Sequence, residues 1–474
     1  MNLPDIVGNY LDRQRLSYRL IACPTGESLA QAAAALDLPS RWTVRTVLLR
    51  DASGLLMAIL PCDYILDFSM LCQSLGRDLE PLHGAETASV FQNHGCKAGS
   101  YPPLPGAFDI PALADDSLIV DDAREIYFDG GNGENLIGMR GGDFRRLLAR
   151  ARWERFAVPI GHLDSLSGPQ ALTPQNLHGI IKRYTPAQPT ENNQAITELP
   201  AMPPTAQRLL MLRANPAAEV RDILQIIEQD PSLAAQVVYW ARSPLHGHYG
   251  VVDSLETAIG QVLGIENTLN LLLGSSLGQA FHIPADGPVG SEAFWRHSIY
   301  CAALVGELVK VLPQPSGVEP GLAYLCGLLH DFGYLVLGQA FPAHFFLFNR
   351  FIAVNRHIAL SAVERYVLGV EHWHIGAWLM QSWGMPEEVI VAVRWHHHED
   401  CPQPHAEYAN LVLIANRLLD HIGLGEESNH RLPALAMFML GITHEQALDA
   451  LARVQSSAAA LDSLAGALRL PAEG

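Results

Sequence analysis

The sequence predicts a multidomain protein with an N-terminal α/β (α+β) half and an all-α C-terminal half. Three observations carry this. Short β-like runs alternate with helical stretches only in the first 155 or so residues. A weakly patterned stretch follows, rich in proline and polar residues. From residue 199 onward apolar residues recur at helical spacing with no β pattern between them. At 474 residues the chain is long enough for two or three domains with full cores.

Taken in order, residues 44–49 and 55–60 read as strands flanking a turn at Asp51-Ala52-Ser53-Gly54. Residues 117–120 and 125–128 read as two further strands, and 67–75 and 143–155 as helices. These give a first domain over residues 1–157. Residues 158–198 read as a linker, marked by Pro186, Pro189 and the polar run 190–194, with a short helix embedded at 175–182. Helices follow at 206–212, 220–229 and 232–242, where Asp230 can cap a helix that starts with Pro231. More are expected at 254–263, 268–281, 292–312 and 322–337. The main helical domain spans 199–400, and 401–474 forms a helical extension of it.

Composition narrows the function classes. Hydrophobic residues make up 49% and charged residues 17%, the balance of a globular chain. The net charge of −18 argues against non-specific binding to nucleic acid, which needs basic surface. The first residues lack the apolar core of a signal peptide, and no charge-free apolar run reaches about 18 residues, so no membrane partner is expected. Seven cysteines without a CxxC pair predict reduced thiols and a cytoplasmic protein.

The chemistry concentrates in the C-terminal half. His330-Asp331 sits in LAYLCGLLHDFGYLVL, so apolar that a single buried helix is expected. A buried Asp331 is costly unless paired or bound to a cation, and the adjacent histidine makes ligation of a divalent metal (Fe, Mn or Mg) one way to satisfy it. His297, His372, His396 and His397 extend the donor set. Adjacent residues on a helix diverge by about 100°, so His396 and His397 are expected to serve different ions or partners. Against this stands the plain reading of each histidine as a satisfied core residue.

The segments LPAMPPTAQRLL, IIEQDPSLAAQVVYWARSP, FWRHS, GLLHDFGYLVL and HWHIGAWLMQSWGMPEEVIVAVRWHH resemble the HDOD domain, a helical relative of the HD-type phosphohydrolases. HDOD domains are associated with bacterial signalling, and many lack the metal ligands of their enzymatic relatives. Compared with HD-GYP cyclic di-GMP phosphodiesterases, His297, His330, Asp331, His372, His396 and His397 resemble the metal set. The last aspartate falls on Asn416, a poorer ligand, with Asp420 one turn away. The lysine after the HD pair is missing, the run here being HDFGY with Tyr334.

The first half resembles the YbaK/ProX-type aminoacyl-tRNA deacylase domain in VRTVLLRD, AILPCDYILDFSMLCQSLG, GSYPPLPGAFDIPALADDSLIVDD and EIYFDGGNGENLIGMRGGDFRRLL. That resemblance places Arg45 where the family has a lysine at the tRNA 3′ end. Arg is not a simple replacement for Lys in a shaped site. The loop from Gly99 to Gly106 corresponds to one whose backbone N–H groups stabilise an oxyanion, and Asp121 and Gly130 match later motif positions. Together the resemblances imply a regulatory protein with a ligand- or partner-binding HDOD module. The partners implied are signalling proteins, a nucleotide, or an aminoacyl-tRNA 3′ end. The alternatives are a metal-dependent phosphohydrolase or an aminoacyl-tRNA deacylase; fold alone implies no catalysis.

Overall fold

A computed structural model of the chain describes residues 3–23, 28–82, 84–119, 121–162, 179, 200–227, 230–242, 254–425 and 431–469. The chain divides into two compact units, Met1–Ser167 with Arg350–Val363, and Gly168–Asn349 with Glu364–Gly474.

The first unit is built on a mixed sheet ordered β1-β8-β7-β2-β3-β6-β9, with β5 alongside β2. The strands are β1 (Tyr18–Ala22), β2 (Thr43–Asp51), β3 (Gly54–Pro61), β4 (Tyr64–Leu66), β5 (Glu80–Pro81), β6 (Ala112–Asp115), β7 (Glu125–Asp129), β8 (Asn135–Arg140), β9 (Arg152–Glu154) and β10 (Ala157–Pro159). β2 and β3 form the expected hairpin, with Asp51 opposite Gly54 and Gly54 at φ +117°. Val44, Leu48, Met57 and Ile59 point from it into the core with Phe91, Phe128 and Phe144.

Two expectations in this half are corrected. Within 117–120 there is no strand among the described residues: Asp115 ends β6 by accepting the Ser117 N–H, which tightens 116–118 into a 3₁₀ turn. The helix expected over 143–155 is Gly141–Leu147 only, because the chain turns after Leu148 to add β9 beside β6. The helix expected at 175–182 falls outside the described residues except at Gly179.

Arg350–Val363 belongs to this unit although it lies far along the chain. Its seat is specific. The Asn355 side-chain amide meets both backbone groups of Leu66, accepting its N–H at 2.7 Å and donating to its carbonyl at 3.0 Å. This is how a neighbouring strand would pair with β4, but made by one side chain. Asn355 Nδ2 also donates to Phe351 O, and Arg45 donates to the Val354 carbonyl and to Asn355 Oδ1, each at 2.8 Å. The His357 ring meets the Cys62 carbonyl at 2.9 Å.

The second unit is helical throughout its described elements. Pro204–Arg213, Val220–Ile227 and Pro231–Ala241 match the predicted helices, and Asp230 Oδ1 accepts the Leu233 N–H as a cap. Ser291–Val309 and Ala406–Asp420 pack together and against Pro320–Leu329. The stretch expected as one buried helix is two: Pro320–Leu329 ends, and Phe332–Ala340 begins, at His330-Asp331. His330 caps the first helix and Asp331, at φ −100° and ψ 10°, leads into the second. A single helix would spread the two side chains around its surface; the break lets both point inward. Pro320–Ala340 is long and apolar enough to cross a membrane by length and composition, but 94% of its most apolar window is buried inside the unit.

The second of these helices packs closely on His372–Ser382. A Cβ at Gly333 would overlap the His372 carbonyl, and one at Gly376 would lie 3.2 Å from Gly333 N. Gly333→Ala is therefore expected to destabilise the protein by about 1–3 kcal/mol, the cost of overpacking against backbone, as read by denaturant unfolding. In the first unit, burial and then the nearby Arg45 charge hold the His357 imidazole well below its usual range. The unfolded chain takes up that proton more readily, so stability falls as pH drops below about 6.5. His357→Asn is expected to flatten this part of the stability–pH curve; an unchanged slope would exclude His357 as its source.

Candidate functional site

Six of the seven residues expected to ligate metal come together. Asp331 lies at their centre, 2% exposed. Its Oδ2 is 3.4 Å from His297 Nε2 and 3.2 Å from His330 Nε2. Its Oδ1 is 3.2 Å from His372 Nε2 and 3.6 Å from His396 Nε2. The donors thus form two groups, His297–His330–Asp331 and His372–His396–His397, with donor atoms within 4.8 Å of one another in each. Asp331 reaches both.

The rings are oriented from behind. His330 and His396 are both the C-capping residues of their helices, and the Nδ1 of each faces the carbonyl three residues back, Gly327 O at 2.8 Å and Val393 O at 2.9 Å. His297 Nδ1 faces Leu424 O at 2.7 Å. His372 Nδ1 lies 2.7 Å from a carboxylate oxygen of Glu364, a fully buried residue. Each Nδ1 therefore carries a proton outward, and in the neutral ring each Nε2 turns a lone pair inward. His297 and His330 then bring lone pairs to 3.1 Å of each other, and His372 and His396 to 3.2 Å. Such approaches are repulsive unless a cation or a proton lies between them.

One orphaned atom in the cluster points the same way, and a second orphaned group lies on the helix expected to supply the last ligand. Asp331 Oδ1 takes no hydrogen bond despite its burial. The buried Asn416 side chain leaves both its amide oxygen and nitrogen unpartnered. Asn416 sits on Ala406–Asp420, and no hydrogen bond joins it to the histidines. Asp420, the substitute one turn on, lies 3.9 Å from Arg417. A nitrogen- and carboxylate-rich donor set with buried unsatisfied atoms fits a divalent transition metal.

Electrostatics follow from the packing. Burial pushes His330 down, but the adjoining Asp331 carboxylate overcomes it and holds the imidazole well above its usual range. Asp331 is held well below its range by the histidines despite its own burial. Burial, followed by the charges of neighbouring imidazoles, holds His396 well below its range.

The geometry corrects the expectation that His396 and His397 diverge. The helix ends at Trp395, so both lie in the turn beyond it, and their Nε2 atoms approach His372 Nε2 at 3.2 and 3.4 Å. Sequence reasoning missed Glu364 and the role of Tyr334. Tyr334 stacks on His372 with ring centroids 4.3 Å apart, and its hydroxyl donates to Glu364 at 2.6 Å. The available signal was a glutamate inside the otherwise apolar face of 358–368, eight residues before His372.

In the first unit the candidate residues have other engagements. Arg45 is buried, with its donors on Val354 O, Tyr64 O and Asn355 Oδ1, none of them in the loop containing Gly99 and Gly106. Gly99 has φ +84°, and a Cβ at Gly106 would overlap the Tyr10 hydroxyl. The loop is held by Asp129, which accepts the Tyr101 N–H at 3.0 Å; burial raises that carboxyl to about 6. Asp121 is exposed and accepts the Ala123 N–H, and Gly130 donates to Asn135 O.

Comparison with known proteins agrees with this architecture. Residues 199–399 match the HDOD domain, and residues 23–147 the aminoacyl-tRNA editing domain. A protein of Marinobacter aquaeolei VT8, provisionally described as a signal transduction protein, is 32% identical with a TM-score of 0.83; the match covers 99% of this chain and 100% of that one. An HDOD domain protein of Geobacter sulfurreducens is 22% identical with a TM-score of 0.48, over 58% of this chain and 94% of that one. A protein of Treponema pallidum (strain Nichols) is 26% identical over 265 residues, 55% of this chain, and the match spans about half the length of that relative. The chain belongs to the HDOD family, in the form that carries an aminoacyl-tRNA editing domain ahead of the HDOD domain.

Proposed function

We propose that this is a regulatory protein whose HDOD half holds one or two divalent transition metals, Fe or Mn, and binds a phosphate-bearing ligand there. The observation that carries the reading is Asp331, whose two buried oxygens face two different sets of imidazole nitrogens. His297, His330 and Asp331 would hold one ion, and His372, His396 and His397, with the other Asp331 oxygen, a second. When bound, such ions neutralise phosphate charge and activate water. The chain's own residues prepare the site. Backbone carbonyls fix three imidazoles, Glu364 strengthens His372 as a donor, and Tyr334 holds Glu364 in place. In the editing-like half, the reading is a sensor of aminoacyl esters such as an aminoacyl-tRNA 3′ end.

The second reading, hydrolysis of a nucleotide or cyclic dinucleotide phosphodiester, is favoured by Asp331 facing both groups. Against it stand Asn416, in place of a carboxylate, and the missing lysine after the HD pair.

Protein prepared without chelator is expected to contain metal by elemental analysis, and metal-stripped protein to take up Mn²⁺ or Fe²⁺ in calorimetry. Failure of both would end the metal reading. Asp331→Asn should abolish uptake while circular dichroism stays native. Glu364→Gln should weaken uptake by about 10–100-fold, as loss of a ligand's supporting carboxylate does; unchanged affinity would remove Glu364 from the centre. Turnover of a chromogenic phosphodiester by loaded wild type but not by Asp331→Asn would select the hydrolytic reading over binding alone.

A further inference from the structure

Arg45 is a buried cation without an anion. Its acceptors are two backbone carbonyls and the neutral amide oxygen of Asn355, and its Nε is buried without a partner. No carboxylate among the described residues forms an ion pair with it. Burying a guanidinium this way is costly, and burial pulls its pKa down to about 10. Two of its three hydrogen bonds go to Val354 and Asn355, in the stretch 350–363 that arrives from beyond the first 167 residues. The same stretch places His357 on the Cys62 carbonyl and the Arg356 charge near the Tyr101 hydroxyl, in the loop that follows Gly99.

We propose that residues 354–357 are an internal stand-in for an external ligand of the editing domain: clipped in place by Asn355, they occupy Arg45 and keep aminoacyl esters out until they are displaced. The proposal rests on the reading of the first unit as a sensor of aminoacyl esters. It explains why a cation is kept where only neutral acceptors meet it, because the segment satisfies Arg45 incompletely and an incoming ligand has something to gain. It also gives the release a handle. The segment ends at Val363, and the next residue is Glu364, the carboxylate on His372.

The test uses the full chain, the non-hydrolysable probe 3′-alanylamino-3′-deoxyadenosine, and the labelling rate of Cys62, followed by peptide mass spectrometry. Cys62 is buried, with its thiol pushed up to about 12, and its carbonyl meets the His357 ring, so its labelling is expected to quicken when the segment lifts. Asn355→Ala removes the clip and leaves Arg45 intact. It is expected to speed Cys62 labelling by about fivefold or more, the equivalent of one net hydrogen bond, and to permit probe binding that wild type lacks and that Arg45→Ala abolishes in the Asn355→Ala background. Should Asn355→Ala not fold, His357→Ala leaves the Asn355 clip in place while removing the bond to Cys62, and should give the same ordering at smaller amplitude. Equal binding by wild type and variant, lost in Arg45→Ala, would uphold the sensor and overturn the stand-in. Faster labelling with no binding by any variant would overturn both. Unchanged labelling in a folded Asn355→Ala protein would show that the segment covers nothing.

Discussion

The helical unit is organised around one expensive object, the ionised carboxylate of Asp331 among apolar helices. Taking such a charge out of water costs several kcal/mol unless counter-charges and donors surround it. The apolar run breaks into two helices at this point, which turns His330 and Asp331 inward together. The helix bearing His372 approaches the break through Gly333, where a side chain would collide with the His372 carbonyl, and Gly376, where one would crowd Val393 and the Gly333 N–H. Glu364, a second buried carboxylate, sits one layer out, with the His372 ring and the Tyr334 hydroxyl on it.

Much of this was legible in the sequence because apolar periodicity and the histidine–aspartate spacing are local properties. The helices of the second half, the β2–β3 hairpin and six ligand candidates followed from them. What escaped depends on termination and on distance. The helix break at His330 cannot be read from LAYLCGLLHDFGYLVL, whose pattern supports one continuous helix. The convergence of His396 and His397 depends on the helix stopping at Trp395. Arg45 was singled out as the residue at the tRNA 3′ end, but two of its three partners lie more than 300 residues away at Val354 and Asn355, a pairing no local pattern encodes. Glu364 has no short motif; it was invisible until His372 was seen to need a partner.

Asn355 shows how little surface a specific attachment requires. A side-chain amide carries one donor edge and one acceptor edge, as a peptide does, so a single residue can satisfy both backbone groups of Leu66 at the end of β4. An aspartate would lack the donor for the Leu66 carbonyl and a leucine would lack both, leaving buried backbone groups unpaired.

The capping positions of His330 and His396 carry a consequence of their own. The last carbonyls of a helix have no partner within it, and here an imidazole N–H meets one of them at each helix end. These two histidines therefore do double duty, closing helix ends whether or not any ion is present. A descendant that lost every trace of metal chemistry would still be penalised for replacing them. Across HDOD relatives, the persistence of these two positions measures the need for the fold, whereas the side chains of Asp331 and Asn416, which cap no helix, are the better record of whether a metal is still in use.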